Sequence, residues 1–454
     1  MFKSLFQNMA GAQTQSTATT KTTAPAETTS VEKSVVVAES TVTTENTVQS
    51  ASTEGTAPEA AATKPVPDIQ HEPLVADDRK TASLLVYGPC SNAGDVLIHR
   101  AIEKLFEDDI AFRYHHIRQD KLTDMEQNIL VGPGGILSGS YTPEKNPDEW
   151  LIRHLNRKKV QSWRKEGKNV VFFGTGTNTP MAATKTQKPF SSVSENTLAD
   201  LFDLSKGVYL RGSYDRNRLQ MLSDAKDVHK LVFQPCPSLF IDQWAENPRP
   251  KSDIIAINFP LNKGLNANNV RSHPLHKFVS YTRSWGLECV FSPNHTQDVN
   301  PYIFDVFDRV DISDELASFI CSDAFAEMPD AQKRIQEEWM SLDCIFSRFS
   351  GHRFAFGSRL HSFLPFMAYE TPSLFLSGNE VRKSMPVDYF DNPIFLAKAA
   401  YHPAKCEQMV DGMIERLNFF IRNEDALVAS IRESKERLWE LTERNRAAML
   451  AQLD

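Results

Sequence analysis

The sequence predicts an α/β protein with two open parallel sheets, a cleft between the two domains, and an N-terminal segment without a core. One observation is the repeated order of short apolar strand, glycine-bearing turn and amphipathic helix within residues 81–250. Another is a similar series after residue 251, beyond four prolines in residues 235–250. Strands that alternate with helices form parallel sheets, whose ligands bind beyond the carboxyl ends of the strands.

The N-terminal segment has a different composition. Residues 10–80 are rich in Thr, Ser, Ala, Glu and Pro and contain no aromatic residue. Such a segment cannot bury enough apolar surface to offset its loss of conformational entropy. The predicted organisation is a disordered tail (1–80), an N-terminal α/β domain (81–250), a C-terminal α/β domain (251–400) and C-terminal helices (401–454).

Each element of the N-terminal domain follows from a local pattern. Residues 84–87 form an apolar run typical of a buried strand, and residues 94–106 place apolar side chains at helical spacing. Three further short strands are predicted at residues 128–131, 169–173 and 208–210. Glycines follow all three strands, as expected where a parallel strand turns into a helix.

The C-terminal domain repeats this pattern. Its predicted strands are residues 254–257, 288–291, 353–356 and 373–376, with a helix at 272–285. The last part of the chain, residues 402–454, has the apolar spacing of long helices.

Composition excludes several classes of protein. The net charge of −8 argues against general nucleic-acid binding, which requires a basic surface. No stretch approaches 18 apolar residues, and no apolar core of a secretory signal is present, so we predict a cytoplasmic protein. Residues 1–9 are interpreted as a frayed terminus, with a small interfacial membrane anchor as the open alternative. The six cysteines include no C-x-x-C pair, so no zinc site is predicted.

Two segments carry groups suited to an anionic substrate. Asn92-Ala93-Gly94-Asp95 opens a helix after the first strand, and helix N-termini attract anions. Ser358-Arg359-Leu360-His361 follows a later strand, and combines a cationic fork with a side chain that moves protons near neutral pH. Structural alternatives exist: Asn92 or Asp95 as a helix cap, Arg359 in an ion pair, and His361 as a packed side chain.

Other loops are candidates for the same cleft. Gly132-Pro133-Gly134-Gly135 and Gly174-Thr175-Gly176 follow strands, where glycine permits close backbone approach or positive φ, or serves packing. Arg211 also ends a strand. His295 and Asp298 could line the acceptor side, although a surface loop is the favoured interpretation for both.

With these residues in view, the chain resembles the polysaccharide pyruvyl transferase family. The likeness covers residues 84–400 and rests on the segments just named, with Pro372 and Lys383 at family-like spacing. The resemblance implies two Rossmann-like domains in a glycosyltransferase-B-like arrangement. It also implies that phosphoenolpyruvate, not a nucleotide sugar, donates a pyruvate ketal to two hydroxyls of a sugar.

The resemblance assigns roles residue by residue. His361 would be the general acid, and Asp95 would accept a hydroxyl proton or hydrogen-bond the sugar. The donor would be bound by Arg359, Arg211, Lys383 and Ser358. The cleft loops would contribute Asn92, Gly94, Gly134, Gly135, Gly174 and Gly176. No metal or cofactor is expected, since Arg and Lys can offset phosphate charge.

The sequence departs from the family pattern twice. Arg211-Gly212 stands where an Arg-Asp pair is common, and Gln234-Pro235-Cys236-Pro237 replaces a segment with an acidic residue. Both departures concern the acceptor and the detailed reaction.

The leading prediction is a cytoplasmic pyruvyl transferase acting on a cell-surface or exopolysaccharide sugar, with a free, lipid-linked or polymeric acceptor. Peripheral association with the inner face of the membrane is left open. One alternative is a glycosyltransferase of the same two-domain plan with a nucleotide-sugar donor. Another is a non-catalytic binding protein, against which the presence of both Arg359 and His361 argues.

Overall fold

The computed structural model describes a discontinuous set of residues. These are residues 79–86, 93–116, 122, 124–137, 155–176, 192–220, 225–261, 264–295, 298–322, 325, 342–376, 380–397 and 405–453. The predicted disordered tail lies outside this set, apart from its last two residues. Within the set, every pair of neighbouring strands is parallel, in two separate sheets. The predicted α/β class with two parallel sheets is therefore confirmed.

The first sheet has six strands among the described residues, in the order β2-β1-β3-β4-β5-β6. They are Lys80–Val86 (β1), Ile110–His116 (β2), Asn128–Val131 (β3), Asn169–Thr175 (β4), Ser205–Leu210 (β5) and Leu231–Phe233 (β6). The sequence pattern does not indicate β2 or β6 as strands. Both lie at sheet edges, where partial exposure weakens the apolar pattern that marks a buried strand.

Helices cover this sheet. They are Ala93–Leu105 (α1), Arg157–Lys165 (α2), Ser192–Leu204 (α3) and Ser213–Gln220 (α4). The α1 helix is buried on two sides. Ile102 and Leu105 pack onto the first sheet, whereas Val96, Leu97 and Ala101 belong to the apolar core that contains the second sheet. The start of α1 is thus part of the contact between the two sheet domains.

The second sheet has five strands in the described part of the chain, in the order β11-β10-β7-β8-β9. They are Ile254–Asn258 (β7), Glu288–Phe291 (β8), Arg309–Val310 (β9), Phe354–Gly357 (β10) and Ser373–Phe375 (β11). Its helices are Leu275–Ser284 (α5), Ile303–Val306 (α6), Asp314–Ile320 (α7), Leu342–Ser347 (α8), Leu360–Ala368 (α9) and Glu380–Phe390 (α10). The chain leaves β7 toward β8 but enters β10 on its other side, which makes β7/β10 the topological switch point.

Two helices complete the fold: Cys406–Arg422 (α11) and Glu424–Gln452 (α12). The α12 helix begins on the second sheet domain, where Leu427 and Ile431 join its core. It ends on the first sheet, where Met449 is buried. A helix of 29 residues is about 44 Å long, enough to span both domains. None of the described helices is long and apolar enough to cross a membrane.

Candidate active site

The switch point of the second sheet is organised by Asn258, the last residue of β7. Its side-chain amide donates to Ser292 O after β8 (2.5 Å). Its Oδ1 accepts a hydrogen bond from Ser362 Oγ at the start of α9 (2.7 Å). The Ser358 N–H donates to Asn258 O (3.0 Å). One buried asparagine therefore fixes the carboxyl ends of β7, β8 and β10 together, and with them the loop that carries the predicted donor-binding residues.

Arg359 is the N-cap residue of α9 and has an extended backbone. Its Nε and Nη2 bind the carboxylate of Asp298, with Nη2 2.6 Å from Oδ1 and Nε 3.1 Å from Oδ2. The Asp298 side chain is 0% exposed, and the Arg359 side chain is 21% exposed. The favoured interpretation of Asp298 as a surface-loop residue is wrong. The ion-pair alternative for Arg359 is observed, and its donor-binding role stays a prediction.

His361 lies in the first turn of α9 with non-helical backbone angles (φ −83°, ψ 19°). The Asn294 side-chain amide donates to its carbonyl (2.8 Å). The imidazole Nε2 is 4.0 Å from Cys236 Sγ, a residue of the segment between the sheets. Burial raises the pKa of the Cys236 thiol, so this neighbour of His361 is held as a neutral group.

The start of α1 meets this segment. The Ala93 N–H donates to Asn294 O (3.0 Å). A Cβ added to Gly94 would lie 2.5 Å from His361 Cβ and 2.9 Å from its Nδ1, so only glycine allows the imidazole to lie against the helix. Asp95 is in the same first turn. The two segments that the sequence analysis singled out are thus in contact; Asn92 lies outside the described residues.

The carboxyl edge of the first sheet is built from glycine loops. Gly134 and Gly174 have positive φ values of 120° and 64°. The Gly134 N–H donates to Gly174 O (3.2 Å), and the Gly176 N–H donates to Gly134 O (2.9 Å). Gly135, next in the same loop, is half-buried. The loops after β3 and β4 therefore support one another.

Arg211 follows β5 at this edge and is 1% exposed. A Cβ on Gly176 would collide with Arg211 Nε and would lie 2.6 Å from Asp215 Oδ2, so the missing side chain makes room for both. Asp215 is also 1% exposed. The guanidinium is enclosed by protein, and its donor-binding role stays a prediction.

The α10 helix joins the two edges. Tyr389 OH donates to Arg211 O (2.7 Å) and accepts from the Cys236 N–H (2.8 Å). Asp388 accepts hydrogen bonds from Ser213 N (2.9 Å) and Oγ (2.7 Å) at the start of α4. Lys383 belongs to α10, but its side chain lies outside the described set. The contacts nevertheless hold the helix of Lys383 against the Arg211 segment.

The electrostatic surroundings of Arg359 include His295. Burial lowers the pKa of His295, and the nearby Arg359 cation lowers it further, while Asp298 acts in the opposite sense. This imidazole is therefore neutral at neutral pH. Among the described residues, no three His, Cys, Asp or Glu side chains cluster as a metal site would require.

Several members of this arrangement carry no signal in the sequence. Asn294 and Asn258 looked like ordinary loop and strand-end residues, and Tyr389 like a helix core residue. Cys236 stands out in the sequence only as part of the Gln234-Pro235-Cys236-Pro237 segment. No local signal marks them, because each acts through a partner more than 35 positions away, such as Asn258 with Ser362 (104 positions).

Comparison with solved structures gives matches of low identity. The S. aureus protein MnaA, in a co-structure with UDP, is 9% identical, with 83% of this chain and 98% of that chain covered and a TM-score of 0.41. UDP-GlcNAc 2-epimerase from Neisseria meningitidis bound to UDP-GlcNAc is 10% identical, with 80% of this chain and 99% of that chain covered and a TM-score of 0.40. An alpha-glucosyltransferase in complex with UDP is 10% identical, with 82% of this chain and 99% of that chain covered and a TM-score of 0.39.

No curated protein matches the sequence. A family model does: the one described as polysaccharide pyruvyl transferase matches residues 92–380, from the start of α1 to the start of α10. The matched range includes His361, Arg359, Arg211 and Asp95, and spans well over half of the 454-residue chain. The chain belongs to the polysaccharide pyruvyl transferase family and is a transferase.

Proposed function

We propose that the protein transfers pyruvate from phosphoenolpyruvate to a sugar of a cell-surface or exopolysaccharide, forming a cyclic ketal. The observation that carries the proposal is the contact between His361 and Gly94 across the two domains. It brings a proton-transferring side chain, the cation of Arg359 two residues earlier, and the start of α1 into one place.

Donor binding is assigned mainly to the second sheet domain. Phosphoenolpyruvate carries a carboxylate and a phosphate, and a guanidinium binds such groups through paired hydrogen bonds. Arg359 is partly exposed while its other side is anchored by Asp298. Ser358, Arg211 and Lys383 complete the proposed set, in which Arg211 contributes from an enclosed position.

His361 is the proposed general acid. Protonation of the methylene carbon of phosphoenolpyruvate converts it to a methyl group and leaves the adjacent carbon electrophilic. One sugar hydroxyl attacks this carbon and loses its proton. The second hydroxyl then attacks the same carbon, the bond between this carbon and the phosphate oxygen breaks, and inorganic phosphate leaves and takes up the proton of the second hydroxyl. An imidazolium positioned by its backbone can deliver the first proton efficiently.

Asp95 is the proposed partner on the acceptor side. As the third residue of α1, it lies one position after the glycine that touches His361. A carboxylate there can accept the proton of an attacking hydroxyl or hold the sugar by a hydrogen bond. No metal or organic cofactor is part of the proposal, because arginine and lysine offset the donor charge. The acceptor is free, lipid-linked or polymeric, and the reaction takes place in the cytoplasm or at the inner membrane face.

A ligand comparison tests the donor. The purified protein is titrated with phosphoenolpyruvate, inorganic phosphate, UDP-glucose and UDP-GlcNAc while its melting temperature is recorded. A ligand at 100 times its dissociation constant stabilises the fold by about 2.7 kcal/mol, a readily measured shift. We expect phosphoenolpyruvate to stabilise far more than phosphate, and neither nucleotide sugar to do so. If a nucleotide sugar stabilises the protein and phosphoenolpyruvate does not, the proposed activity is wrong and a glycosyltransferase activity takes its place.

A further inference from the structure

The hydrogen bonds of Arg359 use one particular edge of its guanidinium. Nε and Nη2 both face the Asp298 carboxylate, with Nε 3.2 Å and Nη2 2.6 Å from Oδ1. A guanidinium has five N–H donors in a rigid plane, so this pairing engages the side edge. The end edge, formed by Nη1 and the second N–H of Nη2, points away from Asp298. Its geometry suits a second bidentate anion.

The position of the ion pair is unusual for one that only stabilises the fold. Burying a carboxylate has a large desolvation cost, which an ion pair does not reliably repay. Here the carboxylate is fully buried, but its arginine is 21% exposed. The arrangement therefore leaves the cation open to a ligand while fixing its orientation from behind.

Asp298 is itself held in place. Its Oδ2 accepts a hydrogen bond from the Asn294 N–H (3.0 Å), and its own N–H donates to His295 O (2.8 Å). Asn294 in turn binds the His361 carbonyl and the first N–H of α1. The orientation of Arg359 is thus linked through rigid contacts to the backbone that carries the proposed acid.

We infer that Asp298 is a positioning residue for donor binding, which orients Arg359 so that its Nη1/Nη2 edge meets an anionic group of phosphoenolpyruvate. The inference rests on the proposed function. For a variant that lacks the Asp298 charge, the inference predicts the opposite change in anion affinity from the one that charge repulsion alone predicts. Removal of a negative charge beside an anion site would by itself strengthen anion binding, whereas loss of orientation weakens it.

A double-mutant cycle tests the inference. Phosphoenolpyruvate affinity is measured by calorimetry for the wild type, Asp298→Asn, Arg359→Lys and the double variant. We expect Asp298→Asn to weaken binding roughly ten-fold, and the double variant to bind no more weakly than Arg359→Lys alone. Asp305→Asn is the matched control, because Asp305 is an exposed residue of α6 in the same segment. The Asp305→Asn variant should bind phosphoenolpyruvate with the affinity of the wild type.

Each other outcome has a distinct meaning. Unchanged or tighter binding by Asp298→Asn overturns the inference, as do independent, additive effects, which a merely structural residue would give. If Asp298→Asn does not fold, Asp298→Glu replaces it: the charge stays but the guanidinium shifts, so affinity should still fall. Wild-type protein that does not bind phosphoenolpyruvate rejects the proposed function, a result separate from failure of the cycle.

Discussion

The carboxyl edges of the two sheets hold their arginines in different ways. At the second sheet, Arg359 is 21% exposed, and a fully buried Asp298 binds it from behind. At the first sheet, Arg211 and Asp215 are both 1% exposed and crowd the backbone of Gly176. The second edge leaves a charged side chain partly exposed. The first edge presents glycine loops and a helix start, supported by an enclosed arginine.

This difference suggests that the two edges have different roles in the proposed site. His361 and Arg359, the proposed acid and donor-binding cation, belong to the second edge, where Asn258 and Asn294 fix the backbone of this segment. The first edge determines how closely the two domains approach, since Gly94 lets α1 lie against the His361 imidazole. The comparison predicts that substitutions at the second edge change turnover and donor affinity directly, whereas substitutions of Gly94 or Arg211 at the first edge act mainly through the geometry or stability of the site.

The largest effect is expected for His361→Gln. Glutamine keeps a polar side chain but cannot act as the acid, so turnover should fall about 10²–10⁴-fold. Phosphoenolpyruvate affinity and melting temperature should change little, since Arg359 remains. His229→Gln, at an exposed histidine, is the control. A stable His361→Gln enzyme with near-normal turnover would remove the second edge as the source of the proton.

Gly94→Ala probes the point where the two edges touch. The new Cβ would lie 2.5 Å from His361 Cβ, so the imidazole or α1 must move. A displacement of about 1 Å can reduce turnover about 10²-fold. Gly412→Ala in α11 is the matched control, because no atom other than the neighbouring backbone of its own helix lies within 4 Å of its added Cβ. This substitution should raise stability by roughly 0.5–1 kcal/mol. Normal turnover in Gly94→Ala would contradict the proposed role of the contact between α1 and His361 in catalysis.

The two arginines give the direct comparison. Arg359→Ala should weaken phosphoenolpyruvate binding by about 1.5–3 kcal/mol, and leaves Asp298 buried without its cation. Adding Asp298→Asn should recover the melting temperature but not the affinity. Arg211→Lys should lower the melting temperature more than Arg359→Lys, because its guanidinium is enclosed, while weakening donor binding less. The reverse ranking in calorimetry would assign the donor to the first edge.

The smallest effect is expected outside both edges. Removal of residues 1–78 should leave the melting temperature nearly unchanged, since residues 10–78 contain no aromatic residue and residues 1–9 are too few to form a core. Scanning calorimetry of the shortened and full-length chains provides the measurement. A fall of several degrees would show that the segment stabilises the sheet domains.

The sequence by itself determined the fold class and the segments that matter. Apolar strands followed by glycine turns and helices predict parallel sheets, because both periodicities are local properties of the chain. The helical spacing at 94–106 and the strand at 128–131 match α1 and β3 closely. Edge strands β2 and β6 were missed, since partial exposure removes the apolar signal. The candidate residues were found because loops after parallel strands converge at one edge.

Only the tertiary structure decided which of those residues meet and in what state. That Asp298 lies buried behind Arg359, that Cys236 lies beside His361, and that Tyr389 joins Arg211 to Cys236 depend on pairs 61, 125 and 178 positions apart. No local pattern encodes such pairs, because burial and partner choice arise when the two sheets pack together. The same packing encloses one arginine and exposes the other, although the sequence presents both as a cation that follows a strand.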